Sequence, residues 1–191
     1  MDMMWLVIGV IVFFGTHSVA IFSPTGREYL ATRYGLGWRA FYSILSLVGL
    51  ALIIWGYGLA RQEPLVLYQP PAWLRSVVAL LMLPVFPLLF AAYLPGRIKA
   101  KLKHPMLAAV KLWALAHLLA NGTLADVVLF GAFLAWAVVD RISFKHRVQR
   151  VIPSAPPGRW NDLIAVVLGL GAYLLFVLVL HARWIGVPIA P

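Results

Sequence analysis

The sequence predicts an all-α integral membrane protein, a bundle of six transmembrane helices with both termini on the periplasmic side. Three observations lead there. Of the 191 residues, 63% are hydrophobic and only 12% are charged, whereas soluble domains carry about 25% charged residues. The mean hydropathy is +0.91. The apolar residues also fall into runs of near-bilayer length, with basic residues collected in alternate gaps between them.

Each run can be justified in order, taking about 20 mainly apolar residues as the length of a spanning helix. The first covers residues 3–22. The opening stretch MDMMWLVIGVIVFF has no basic n-region and no small-residue cleavage site, so it reads as a retained span rather than a secretory signal. The second run is 39–60. The third, 73–94, contains Pro84 and Pro87, which remove two backbone donors and predict a kink. The fourth, 105–121, is short. Only Asn121-Gly122-Thr123 divides it from the fifth, 123–142, and that turn signal predicts a tight helical hairpin. The segment Val151–Gly158, VIPSAPPG, is the most loop-like part of the chain and precedes the sixth run, 161–181. No internal repeat or low-complexity tract is present, and a single domain over residues 1–191 is expected.

The net charge of +10 would suggest nucleic acid in a soluble protein. Here the basic residues lie between apolar runs, which is the positive-inside pattern and argues against nucleic acid. Arg27, Arg33 and Arg39 fill the first gap. Arg97, Lys99, Lys101 and Lys103 fill the third, with Lys111 within reach. Arg141, Lys145, Arg147, Arg150 and Arg159 fill the fifth. These gaps are expected in the cytoplasm, and the chain in a bacterial inner membrane with the lipid bilayer as its first partner.

Cysteine is absent, which excludes disulfides, iron–sulfur clusters, a thiolate-ligated haem and a cysteine nucleophile. Histidine is then the expected ligand for any metal, and there are five. His146 lies in a basic loop and His181 at the end of the last run. Lys111, early in the fourth run, is expected to snorkel toward the headgroups. His17 and His117 are different, because each lies within an apolar run, where an imidazole needs a hydrogen-bond partner or a metal. On an ideal helix Val10, Phe13, Phe14 and Ile21 share the stripe of His17, and Val110, Trp113, Ala114 and Asn121 share that of His117. Such linings could admit a flat macrocycle, and they are equally what helix packing produces. His104 falls about 140° from His117 around the helix, so one face cannot present both. From the residues alone, ligand and structural roles stay open, and His104 stays in reserve for either histidine.

The THS of residues 16–18, the HPM…KLWALAHLLANG stretch at 104–122 and the ADVVLFGAFLAWAVVDRIS run at 125–143 resemble the NnrU family of bacterial membrane proteins. That family is related to the plant and cyanobacterial 15-cis-ζ-carotene isomerase, and the resemblance covers essentially the whole chain. It implies haem b, with His17 and His117 as axial ligands and His104 as an alternative. It also implies Arg27, Lys103 and Lys111 as partners for the propionates, and Trp113 and Ala114 as lining. The isomerase carries a cysteine three residues before its second histidine, where this chain has Ala114, so a thiolate switch is not available. The family's association with nitrite and nitric oxide reduction implies a redox partner or a lipid-soluble substrate, or a non-catalytic accessory role. A weaker resemblance links KHPMLAAVKLW to membrane methyltransferases that use S-adenosylmethionine. The glutamate pair of those enzymes has no counterpart, since Glu28 and Glu63 both precede the motif.

Overall fold

Every regular element is a helix in the computed structural model, which describes residues 2–147, 152–187 and 189. In chain order these are α1 (Asp2–Phe22), α2 (Pro24–Tyr34), α3 (Leu36–Ala60), α4 (Leu74–Met82), α5 (Val85–Tyr93), α6 (Arg97–Leu102), α7 (Pro105–Ala120), α8 (Leu124–Ser143), α9 (Asn161–Leu175), a π-helical segment (Phe176–Leu180) and α10 (His181–Ile185). One isolated antiparallel bridge joins Val66 and Thr123. Residues 148–151, which include Arg150 and Val151, lie outside the described residues.

Among the described residues, four helical stretches are long and apolar enough to cross a membrane: Met3–Phe22, Leu36–Ala60, Leu74–Tyr93 and Asn161–Ile185. Large apolar side chains face outward along them, among them Phe41, Ile44, Leu47, Ile54, Val167 and Leu178. Buried polar groups include Thr16, Asp126, Asp140 and Asn161. That inversion of the soluble pattern is what a lipid solvent selects. The chain is a membrane protein. The other two expected spans differ from these four. α7 has 16 residues, about 24 Å at 1.5 Å per residue, against a hydrocarbon thickness of about 30 Å. α8 has 20 residues but carries Asp126, Asp140 and Arg141.

Two local differences from the sequence expectation, in the first gap and the last run, have physical causes, and the kink expected in the third run is present. The first gap is not loop but helix α2. Pro24 at its first turn has the φ a helix needs, and Gly35 ends it with φ +49. None of its residues is buried, so no apolar stripe announced it. The third run breaks into α4 and α5 at Leu83-Pro84, where proline removes a donor. The last run passes through the π segment, which apolar periodicity does not encode.

The described residues form two compact units, Met1–Pro71 with His117–Gln149, and Ala72–Ala116 with Arg150–Pro191. In the first, α1 packs along α3 through glycines. A Cβ on Gly9 would come within 2.6 Å of the Ile53 backbone nitrogen, and one on Gly49 within 2.7 Å of that of Phe13. Gly56 has no room for a Cβ against the backbone of Trp5 and Leu6. The α3 contact face thus repeats as Tyr42, Ser46, Gly49, Ile53 and Gly56, and small residues let the two backbones approach. α8 lies against both helices. In the second unit α9 packs on α5, Gly169 against Pro87. Val85, Leu88 and Ala109 form a core there with Leu112 and Trp113 around it. Asn161 donates to the carbonyls of Pro95 (2.8 Å) and Pro156 (2.9 Å). The Asp162 carboxylate accepts from the backbone of Arg97 (2.8 Å) and Ile98 (3.1 Å), capping α6.

The glycine contact defines a clean comparison. Gly56→Ala is expected to lower stability by about 1–3 kcal/mol through overpacking, measured by thermal unfolding in detergent. Gly58→Ala on the same helix, with nothing near its Cβ, should be neutral or slightly stabilising.

Candidate functional site

His17 lies five residues before the end of α1, about 8 Å from it along the axis. The helix bends no backbone to place it there. Its Nδ1 lies 2.7 Å from the carbonyl oxygen of Phe13, one turn earlier. A carbonyl can only accept, so Nδ1 carries the proton and the lone pair sits on Nε2. The ring is fixed by aromatic neighbours. Phe13 stacks on it at 4.1 Å and 27°, and Tyr42 of α3 and Trp136 of α8 present edges at 5.5 and 5.9 Å. Stacking covers the face of an imidazole and leaves its edge, where the Nε2 lone pair points. Two buried polar atoms belong to the same α1–α3–α8 wedge, Trp136 Nε1 and Ser46 Oγ, and neither meets a hydrogen-bond partner among the described residues.

His117 stands near the end of α7, stacked on Phe130 of α8 at 4.7 Å and 29°. Both histidines therefore pack against α8, His117 on Phe130 and His17 on Trp136, residues about 120° apart around that helix. Those positions are six residues apart, about 9 Å along the axis, with Phe133 between them in contact with Phe13 and Phe14.

The end of α7 is held by an elaborate turn. The Asn121 side chain donates to the His117 carbonyl at 3.0 Å. Thr123 caps α8 in a capping box with Asp126. Asp126 Oδ1 accepts from the Tyr57 hydroxyl at 2.6 Å. Residues after α3 then strap across the turn: Leu67 donates to the Gly122 carbonyl (2.8 Å) and Leu124 to the Leu65 carbonyl (2.8 Å). The Tyr68 hydroxyl reaches the Asn121 carbonyl at 2.7 Å. Partial burial, helped by the Asp126 charge, holds the Tyr68 phenol above its usual range. The expected turn at Asn121-Gly122-Thr123 is thus present, and Asp126 is explained as its structural centre.

The remaining sequence-predicted residues divide between the units. Arg27 belongs with His17 and His117, and its charge reaches the hydroxyl of Tyr42, whose ring packs against that of His17. His104, Lys103, Lys111, Trp113 and Ala114 belong to the other unit. Trp113 packs against its core and Ala114 is fully buried. His104 starts α7: its carbonyl accepts from Ala108 at 3.1 Å and Pro105 follows at the first helical position. Lys103 has φ +62 and ψ −43, and His104 N–H donates to the Leu102 carbonyl at 2.7 Å across it. That is a γ-turn of the rare strained kind. Tyr42, Trp136, Asp140 and Arg147 were not foreseen around His17. The signal for Asp140 was available, since an acidic residue in an apolar run needs a partner. Tyr42 and Trp136 look like ordinary aromatic residues until the helices are packed.

Among the described residues no cluster of three or more His, Asp or Glu side chains gathers as a metal site. A bare divalent ion needs such a cluster. A porphyrin brings four nitrogens of its own and asks the chain only for axial ligands. A family model described as NnrU protein matches residues 5–189. No curated protein and no solved structure matches the chain.

Two substitutions test this local geometry by thermal unfolding. Lys103→Gly should stabilise the protein by up to about 1 kcal/mol, because the left-handed penalty of about 1–2 kcal/mol is only partly offset by glycine's chain entropy. Tyr57→Phe should destabilise it by about 1–3 kcal/mol, since it leaves a buried carboxylate oxygen without its donor.

Proposed function

From membership of the NnrU family, to which this chain belongs over residues 5–189, we propose that it is a haem b protein of the bacterial inner membrane with His17 and His117 as axial ligands. The observation that carries this reading is the His17 Nδ1 contact with the Phe13 carbonyl at 2.7 Å. Metal-ligating histidines are oriented in this manner, with one ring nitrogen donating to a carbonyl and the other presented to the metal. The donor set fits the group. A tautomer is held, an aromatic wall surrounds it, and His117 packs against the same helix, α8.

The topology we propose has six spans with both termini outside. Burial of Asp126 and Asp140, at 4% and 7% exposure, supports α8 as a span, because its acidic groups do not face lipid. The basic residues of alternate gaps support the orientation. Arg27, in the same unit as both histidines, is the cation proposed to pair with a propionate. Lys103 and Lys111 are proposed for the same role from sequence alone.

When bound, the haem supplies one-electron chemistry. The chain's contribution is to hold His17 in one tautomer, to exclude water with Phe13, Phe14, Phe133 and Trp136, and to anchor His117 at a braced turn. With both His17 and His117 holding it, the group would supply electron transfer with a redox partner rather than substrate binding at iron. A redox-linked isomerase of a lipid-soluble substrate would require one histidine to leave.

Visible spectra of the detergent-purified protein test the reading. Wild type supplied with haem should show a Soret band and sharp reduced α and β bands, and His17→Ala or His117→Ala should lose or broaden them. Absence of any band in wild type would refute the haem reading and leave a non-catalytic accessory factor. Loss only in His104→Ala would mean that a different ligand pair operates.

A further inference from the structure

Arg147 lies just beyond the end of α8, in a segment that the sequence presents as one more basic loop. Its three guanidinium nitrogens each take a different acceptor. One donates to Asp140 Oδ1, in an ion pair whose side chains are 14% and 9% exposed. Nε donates to Ser143 Oγ at 2.9 Å. The third reaches the Ala20 carbonyl in the last turn of α1 at 3.4 Å, across 127 positions of sequence. The guanidinium also lies over the Phe144 ring, 4.2 Å from its centre.

The Ala20 carbonyl has a particular need for this donor. Its partner within the helix would be the N–H of the residue four positions on, which is Pro24 and has none. Pro24 thus leaves an acceptor open at the negative end of the α1 dipole, where a cation is favoured. Arg147 supplies both the hydrogen bond and the charge.

The position of this staple connects it with the site. Ala20 lies one turn beyond His17 on α1, and Asp140 lies one turn beyond Trp136 on α8. Asp140 is also within electrostatic reach of His17. The tie at Ala20 and Asp140 therefore lies one turn from the edge contact between His17 and Trp136. We infer that Arg147 is a positioning residue for His17, binding the end of α1 to α8 so that the imidazole keeps one orientation against Trp136. Its ligand role rests on the haem reading above, whereas its hold on the ring does not. Lysine cannot replace it, because a point ammonium lacks the planar fork that serves three acceptors at once.

The test uses nitrogen-15 histidine NMR of the full chain in micelles without haem, with His17 assigned by its loss in His17→Gln. In wild type the His17 ring should give one sharp Nδ1–H signal shifted by its aromatic neighbours. Arg147→Ala should broaden or split that signal while His117 keeps its own. Arg147→Lys should give an intermediate result, and Ser143→Ala, which removes the Nε acceptor and the hydroxyl's own bond to the Asp140 carbonyl but leaves the ties to the Asp140 carboxylate and Ala20, a near-wild-type one. If Arg147→Ala fails to fold, Arg147→Lys and Asp140→Asn decide. An unchanged His17 signal in those variants, with lowered thermal stability, would overturn the inference and leave Arg147 as a general brace. A second arm, on haem-loaded protein, reads the reduction potential of Arg147→Lys, expected to shift from wild type. An unchanged potential would overturn the ligand part of the inference. A wild type that takes up no haem would overturn the haem reading, and the NMR arm would still decide the hold on His17.

Discussion

A polar or ionisable side chain on an apolar helix must find its partner inside the protein, because lipid offers none. The unit that carries both central histidines is organised by that constraint. Asp126 is satisfied by Tyr57 and Thr123, Asp140 by Arg147, and the His17 Nδ1 proton by its own helix. The two carboxylate solutions join elements that apolar packing alone would leave free to slide. Tyr57 ties α3 to the start of α8, and Arg147 ties the end of α8 to the end of α1. Between these two ties the glycine face of α3 sets the distance to α1.

What this arrangement leaves over is as informative as what it satisfies. Three helices converge on a wedge in which the His17 Nε2 lone pair has no evident structural task. Trp136 Nε1 and Ser46 Oγ, both buried, belong to the same wedge. Unsatisfied buried polar atoms are costly, and one of them, Trp136 Nε1, belongs to a ring that packs against His17. The same region is rich in aromatic rings, which suit a flat apolar macrocycle and shield it from water.

Much of this was legible in the sequence, and the rest was hidden for identifiable reasons. Helices α1, α3, α7 and α8 begin and end within a few residues of the apolar runs, because length and hydropathy are local properties. Proline marked the break between α4 and α5, and Asn121-Gly122-Thr123 marked the turn between α7 and α8. Helix α2 escaped notice because a helix without a buried face has no periodicity to detect. His17 was singled out correctly as an imidazole in need of a partner, but that partner, a carbonyl one turn back, depends on a rotamer that no pattern reports. Arg147 was hidden more thoroughly. Its role follows from Pro24, more than a hundred residues away, and only packing brings the orphaned Ala20 carbonyl within its reach. His104 is legible in another way, since it stands at the start of α7 with Pro105 following at the first helical position.

The account stands on His17 presenting its Nε2 to iron. Electron paramagnetic resonance of the oxidised, haem-supplemented protein addresses this most directly when His17→Gly is compared with and without added imidazole. A low-spin signal in wild type, a high-spin signal in His17→Gly and recovery of the low-spin signal on adding imidazole is the predicted result. A low-spin signal that persists unchanged in His17→Gly would contradict it.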